Sequence, residues 1–346
     1  NPKLRWEKTR DVKVALDFGL WKDRINGIVE AYWRKSKDCV TSEYVPVTTG
    51  FFNQSYNTSV LQNNGVEFSL SVAVLKSKDY NLSVSANVAW NQNKLKKYNS
   101  PNTSLALDKY VGYPMGAVFS GKYEGIDPET GMYKFKLRPD AVTNKDGYLR
   151  EPNNYYYYLG TSVAPFTGGF NLNFSYKNIG LSVGGSYSVK AKMVDNIESP
   201  AGYELLSGSK LESIPTPHND LYRNHLNVKR EVRNRWTPEN RTGVKYPRLI
   251  DAYGKKLGLD LTNPTLTTIT RGALLEDISY LRINTIALSY SLPQRVLERI
   301  NFSSAALNLT LNNFFTITKY SGIDPEVPGA TYPVSRSVTI GLNVGF

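Results

Sequence analysis

The chain of 346 residues has one cysteine, Cys39, so an internal disulfide is excluded and a cysteine-built zinc site is implausible. Cys39 reads as a bystander thiol after a strand. Histidine is almost as scarce. His218 and His225 stand seven residues apart, with no nearby cysteine and no helical His-Glu spacing, so they suggest neither a metal site nor a Ser-His-Asp arrangement. No apolar run approaches the roughly 18 residues that a membrane helix needs. Mean hydropathy is −0.39, the value of a water-soluble chain. Strands that alternate apolar and polar residues leave that average low even when one face meets lipid.

What the sequence has is alternation. Its last stretch, Ser335 to Phe346, places Val338, Ile340, Leu342, Val344 and Phe346 on one face, and Ser337, Thr339, Gly341, Asn343 and Gly345 on the other. The polar face carries no charge, unlike that of a soluble sheet, and the chain stops on an aromatic residue. That is the pattern of a closing strand of an outer-membrane barrel, with Phe346 as the C-terminal assembly signal. The same period recurs at 11–20, 24–33, 66–74, 82–90, 170–176, 179–189, 278–292 and 307–311, about nine strands in all. In the 278–292 segment Arg282 and Asn284 fall out of phase, which asks for a bulge or for a half that stands above the membrane. Pro293 to Ile300 reads as a helical turn or two.

Trp21-Lys22-Asp23, Ser77-Lys78-Asp79 and Lys177-Asn178 are tight turns, and between them lie long excursions at about 36–63, 93–165, 191–276 and 315–334. Short turns alternating with long loops are the asymmetry of an outer-membrane barrel, the long loops being extracellular. The expected fold is therefore all-β: residues 1–346 as a portion of one antiparallel transmembrane barrel. Single-chain bacterial barrels close on an even number of strands, and an open edge in lipid is costly. About nine strands thus imply a piece of a larger barrel.

Tyrosine is frequent, at 24 residues, and suits a water–hydrocarbon boundary. Tyr155, Tyr156, Tyr157 and Tyr158 form an unbroken run with two readings. They stack on sugar rings or peptide side chains at a barrel mouth, or they begin the next strand and sit in its interfacial girdle. Phe51 and Phe52 are a second loop pair that could face a ligand or a capping partner. The net charge is +12, densest over Arg223 to Arg235, without a nucleic-acid motif. Solvated loops near anionic lipopolysaccharide head groups account for it, as would a specific ligand site. Asp127-Pro128-Glu129 and Asp324-Pro325-Glu326 each follow Gly-Ile; both a calcium site and Asp-capped turns fit them.

A series of short stretches resembles SusC/RagA-type TonB-dependent transporters. They are Asn1-Pro2-Lys3-Leu4-Arg5-Trp6-Glu7-Lys8-Thr9; Ala164-Pro165-Phe166-Thr167-Gly168-Gly169-Phe170; Trp236-Thr237-Pro238-Glu239-Asn240; Ser279-Tyr280-Leu281-Arg282; Asn312-Asn313-Phe314-Phe315-Thr316; and Lys319-Tyr320-Ser321-Gly322-Ile323-Asp324-Pro325-Glu326. The resemblance implies a 22-stranded barrel of which this chain is the C-terminal part, with plug, TonB box and earlier strands absent from it. It implies import of oligosaccharides or peptides, a SusD-like lipoprotein lid, energy from TonB, no enzyme activity and no cofactor. Two other readings are an outer-membrane barrel enzyme of protease or lipase type, for which no catalytic constellation is found, and a secreted carbohydrate-binding β-sandwich.

Overall fold

The computed structural model describes residues 1–99, 110–129, 131, 133–141, 154–194, 233–246, 271–328 and 332–346. In chain order the strands are β1 (Lys8–Leu20), β2 (Ile25–Tyr44), β3 (Asn53–Lys76), β4 (Tyr80–Tyr98), β5 (Ala117–Gly121), β6 (Tyr123–Ile126), β7 (Tyr133–Phe135), β8 (Tyr156–Thr161), β9 (Phe166–Tyr176), β10 (Ile179–Val189), β11 (Lys192–Val194), β12 (Leu275–Asp277), β13 (Tyr280–Ser291), β14 (Ser304–Thr318) and β15 (Ser337–Gly345). One short helix, α1 (Gln294–Arg299), follows Pro293. Nine strands form a single antiparallel sheet in the order β1-β2-β3-β4-β9-β10-β13-β14-β15. β5 with β8, β6 with β7 and β11 with β12 make three small two-stranded sheets in the long connections.

The register turns the sequence alternation into two chemically distinct faces. Leu20, Ile25, Val72, Val84, Leu172, Val183, Ile286, Leu311 and Val338 are paired in one row across all nine strands. The neighbouring row, on the opposite face, runs Gly19, Asn26, Ser71, Ser85, Asn171, Gly184, Thr285, Asn312 and Ser337. Two clefts of about 590 and 410 Å³ are lined largely by the small polar set, among them Ser71, Ser85, Asn87, Ser182, Asn308 and Thr310. The polar face is therefore the hollow one.

The apolar face has no cover. Ile340 is 73% exposed and Leu342 67%, and on interior strands Val84 and Leu288 keep 36% and 44%. Among the described residues no second sheet stacks on this face, and the one buried apolar cluster is small, Ala191 with Ile278 and Tyr320. A β-sandwich would bury exactly those rows between two sheets, so that reading is set aside.

Aromatic residues bracket the apolar band. At the tight-turn end Tyr80 pairs with Tyr176, Tyr290 lies opposite Ile179, and Phe346 meets the Phe302 ring edge-to-face at 5.1 Å. At the other end Trp90 pairs with Phe166. About ten residues separate Tyr80 from Trp90, roughly 34 Å along a strand and about 26 Å in height at a 40° tilt, the depth of an outer-membrane apolar band.

Local irregularities follow from side-chain demands. Trp21, Lys22 and Asp23 all take left-handed backbone (φ 55°, 57° and 61°), and Asp23 accepts a bond from Asn26 at 2.9 Å through its carbonyl oxygen. The out-of-phase half of β13 is explained by a bulge. The register slips between Ile283 and Thr285, with Asn313 left-handed on β14. Ile283 is thereby moved to the apolar face and Arg282 to the polar one. At Gly168 a Cβ would stand 2.2 Å from the Asn87 carbonyl oxygen and 2.4 Å from the Tyr187 hydroxyl. Gly168→Ala is therefore expected to cost about 1–3 kcal/mol by overpacking, read as a lower temperature for loss of the folded band on semi-native gels.

The expected loop at 36–63 is corrected. β2 continues to Tyr44 and β3 begins at Asn53, leaving only 45–52 as connection. The Ser/Asn/Thr content that suggests a loop belongs instead to a ladder standing beyond the aromatic girdle, where both faces are polar and alternation disappears. β4 likewise reaches Tyr98 and β14 reaches Thr318, which shortens the connections expected at 93–165 and 315–334. Within the connection after β4, β6 and β7 pair locally, while β5 takes β8 as its partner.

Candidate functional site

The long connections gather at one end of the sheet. The β2–β3 ladder rises there and is held from within. Glu43 is fully buried and accepts bonds from the Tyr98 hydroxyl at 2.6 Å and the Thr41 hydroxyl at 2.8 Å. Cys39 is buried below it, and desolvation pushes its thiol up, which keeps it protonated and unreactive. At the hairpin tip Gly50 adopts a left-handed φ of 80° after a 3-10 turn. Tyr44, Val47, Phe51 and Phe52 there are 61%, 71%, 63% and 79% exposed. Phe51 and Phe52 thus stand where a ligand or partner could meet them.

The tyrosine run does not begin the next strand of the wall, which corrects the girdle reading. Tyr155 lies in a turn, and Tyr156, Tyr157 and Tyr158 belong to β8, in a separate two-stranded sheet above β9. In the β5–β8 register Tyr156, Tyr157 and Tyr158 lie opposite Gly121, Ser120 and Phe119. The Tyr157 hydroxyl donates to the Leu137 carbonyl at 3.0 Å. Tyr158 packs on Tyr113 and Phe119 at centroid distances of 4.9 and 5.7 Å, and Tyr110 meets Phe119 edge-on at 5.1 Å. Burial, and then the neighbouring Tyr113, raise the Tyr158 phenol above its ordinary value, so it stays neutral at physiological pH. Tyr158 is still 41% exposed and borders a cleft of about 490 Å³ that also holds Tyr113, Met115, Asn63, Asn93 and Lys94. Aromatic faces beside the amides of Asn63 and Asn93 can stack on a ring and hydrogen-bond its edge. Sequence reasoning missed Tyr110, Tyr113 and Phe119, because only the fold of the 110–121 segment brings them to Tyr158.

The two Asp-Pro-Glu turns share one geometry. Asp127 accepts from the Glu129 N–H at 2.8 Å, and Asp324 from the Glu326 N–H at 2.9 Å. That is the Asp-capped turn. Asp324 goes further. Its carboxylate is buried, takes the Arg282 guanidinium at 2.5 Å, and accepts the Val334 N–H at 3.2 Å. Arg282 also reaches Glu326 at 2.8 Å and the Thr316 hydroxyl at 3.2 Å. Burial disfavours the Asp324 charge, but these hydrogen bonds and the adjacent guanidinium outweigh it and hold the carboxyl below its usual range. Elsewhere the Trp236 indole N–H donates to the Pro128 carbonyl at 2.9 Å, joining the two longest connections. His218, His225 and the basic run from Arg223 through Glu231 and Val232 lie outside the described residues.

No protein-family model matches the chain. Among curated proteins it is similar to TonB-dependent receptor P26 of Formosa agariphila, at 25% identity over all of this chain and 35% of that protein. It is equally similar to TonB-dependent receptor SusC of Bacteroides thetaiotaomicron, at 25% identity over all of this chain and 32% of that protein. Among solved structures, that of the RagAB peptide transporter superposes with a TM-score of 0.75 and 27% identity, over all of this chain and 36% of the other. The chain spans about a third of the length of the curated relatives it matches. In sequence and in fold the chain is SusC/RagA-like, similar to a C-terminal barrel part of such outer-membrane proteins.

Proposed function

We propose that the protein carrying this chain imports oligosaccharides or peptides across the outer membrane, using TonB for energy and a SusD-like surface lipoprotein as its lid. The residues described form part of the barrel wall, with the long connections on the extracellular side. The observation that carries this is the pair of nine-strand rows, apolar on the open face and Gly/Asn/Ser/Thr on the hollow one. Hydrocarbon suits the first row and a water- or plug-filled lumen the second. Among the described residues β1 and β15 each offer an unpaired edge. In lipid such edges must be closed by further strands, which is the role we give to the rest of the barrel. The relatives are receptors and transporters by name, and the wall is read here as a conduit rather than an enzyme.

Substrate contact is assigned to Tyr158 and its neighbours Tyr156 and Tyr113, with Phe51 and Phe52 as a second contact for substrate or lid. Tyr155 and Tyr157 support the cluster. The decisive experiment is purification of the complete transporter with its natural ligand, followed by mass spectrometry of what is bound. A defined oligosaccharide or peptide supports import, and a metal chelate as the sole cargo contradicts this reading. Tyr158→Ala is expected to weaken binding of that ligand about two- to tenfold, the worth of one aromatic stack, as read by calorimetry. Placement in the membrane has its own check. A fluorophore on Leu342→Cys in a Cys39→Ser background should be quenched by brominated lipid.

A further inference from the structure

Cations on the two faces of β1–β4 are treated differently. On the hollow face Lys13 pairs with Glu30 at 2.7 Å and Arg34 with Asp11 at 2.6 Å. On the apolar face, just beyond Trp33 and Trp90, the register aligns Arg10, Lys35, Gln62 and Lys94 in one row, with Lys8 opposite Lys37 in a row beyond it. None of these five cations has a carboxylate partner among the described residues. Apart from Asp38, which sits in a register slip and pairs with Arg5, β1, β2 and β4 carry no Asp or Glu at outward positions from the girdle upward. The neighbouring Lys190 ammonium lies 5.1 Å over the ring of Phe166, the partner of Trp90.

Charge of one sign, unpaired, at a fixed height on a lipid-facing wall calls for anions supplied by the surroundings. We propose that this row binds the phosphorylated head group of the outer-leaflet glycolipid, lipopolysaccharide. Phosphate takes Arg10, Lys35 and Lys94, the amides of Gln62 and Gln92 take sugar hydroxyls, and the acyl chains run down the apolar rows below. This rests on the reading of the long-connection end as extracellular. Unpaired basic residues at a membrane surface are each worth several-fold in affinity for anionic lipid.

The test uses the complete transporter in detergent and counts bound lipid by native mass spectrometry. Intact lipopolysaccharide should be retained, and phosphatase-treated lipopolysaccharide should not. Joint replacement Arg10→Gln, Lys35→Gln and Lys94→Gln should weaken retention about a hundredfold, three basic residues being removed together. Removing three charges at the tight-turn end, Lys22→Gln with Lys78→Gln and Lys177→Gln, should leave it unchanged. Equal retention of the dephosphorylated lipid, equal loss in both triple variants, or binding of a protein in place of lipid overturns the proposal. The Leu342→Cys label keeps the two readings apart. If quenching persists while phosphate dependence is absent, only the head-group site fails; if quenching is also absent, the membrane placement fails with it.

Discussion

Arg282→Met should loosen the β14–β15 connection and lower the stability of that end of the wall by about 3–5 kcal/mol, the cost of stranding one member of a buried ion pair. Both side chains are nearly inaccessible, at 4% for Arg282 and 5% for Asp324, so solvent cannot take over the partner's role. The bulge at Asn284 points Arg282 to the hollow face, and Asp324 is brought over it by its Asp-capped turn. Ser321 adds a second fastening through its N–H to Glu276 at 2.8 Å. The expected readout is faster protease cleavage within 319–336 and a lower unfolding temperature of the complete protein. Arg282→Met combined with Asp324→Leu should recover much of the loss, because no buried charge is then left alone. Acid should act like the mutation. The folded Asp324 carboxyl titrates below its ordinary value of 3.8. Its contribution is therefore full above that value and lost as pH falls through the lower folded one. Protease sensitivity of 319–336 should rise only in that strongly acid window, and in Asp324→Asn it should be high already at neutral pH.

This pair also marks where the sequence stops being legible. The nine strands and their tight turns are readable because period-two alternation is imposed by lipid on one side and water on the other, and the helix because Pro293 opens it. Beyond the girdle that constraint ends. The stretch from Arg34 to Tyr44, no longer facing hydrocarbon, loses its alternation although the ladder continues, so it reads as loop. Arg282 appears as an exception to the pattern, and a bulge is one of the explanations the sequence itself offers. What it does not give is the partner 42 residues away. The candidate site divides in the same manner. Tyr158 is legible as a bare aromatic run, whereas its neighbours Tyr113 and Phe119 are assembled by the β5–β8 pairing, a long-range contact without a local signal. Phe51 and Phe52 are legible because a Gly-flanked aromatic pair between two polar ladders has nowhere to be buried.

Val84→Arg and Ser85→Arg alter adjacent residues and should have opposite outcomes. Val84 lies in the apolar row between Val72 and Leu172, midway between Tyr80 and Trp90. An arginine there meets hydrocarbon near the middle of the band, at a cost of about 2–4 kcal/mol in a barrel wall. The side chain is too short to snorkel to either girdle without distorting the strand. Ser85 belongs to the opposite row, between Ser71 and Asn171, and lines the larger cleft. An arginine at that position reaches water or a polar neighbour and leaves the lipid face intact. Val84→Arg should therefore reduce the amount of folded protein recovered from the outer membrane and its resistance to unfolding. Ser85→Arg should assemble at the ordinary level and alter only passage through the lumen. The pair separates this architecture from any soluble sheet. In a sandwich Val84→Arg would be buried against a second layer, and Ser85→Arg would touch only bulk water with no effect on transport. If Ser85→Arg proved the more damaging to assembly, the assignment of the two faces would be inverted, and with it the placement of every row described above.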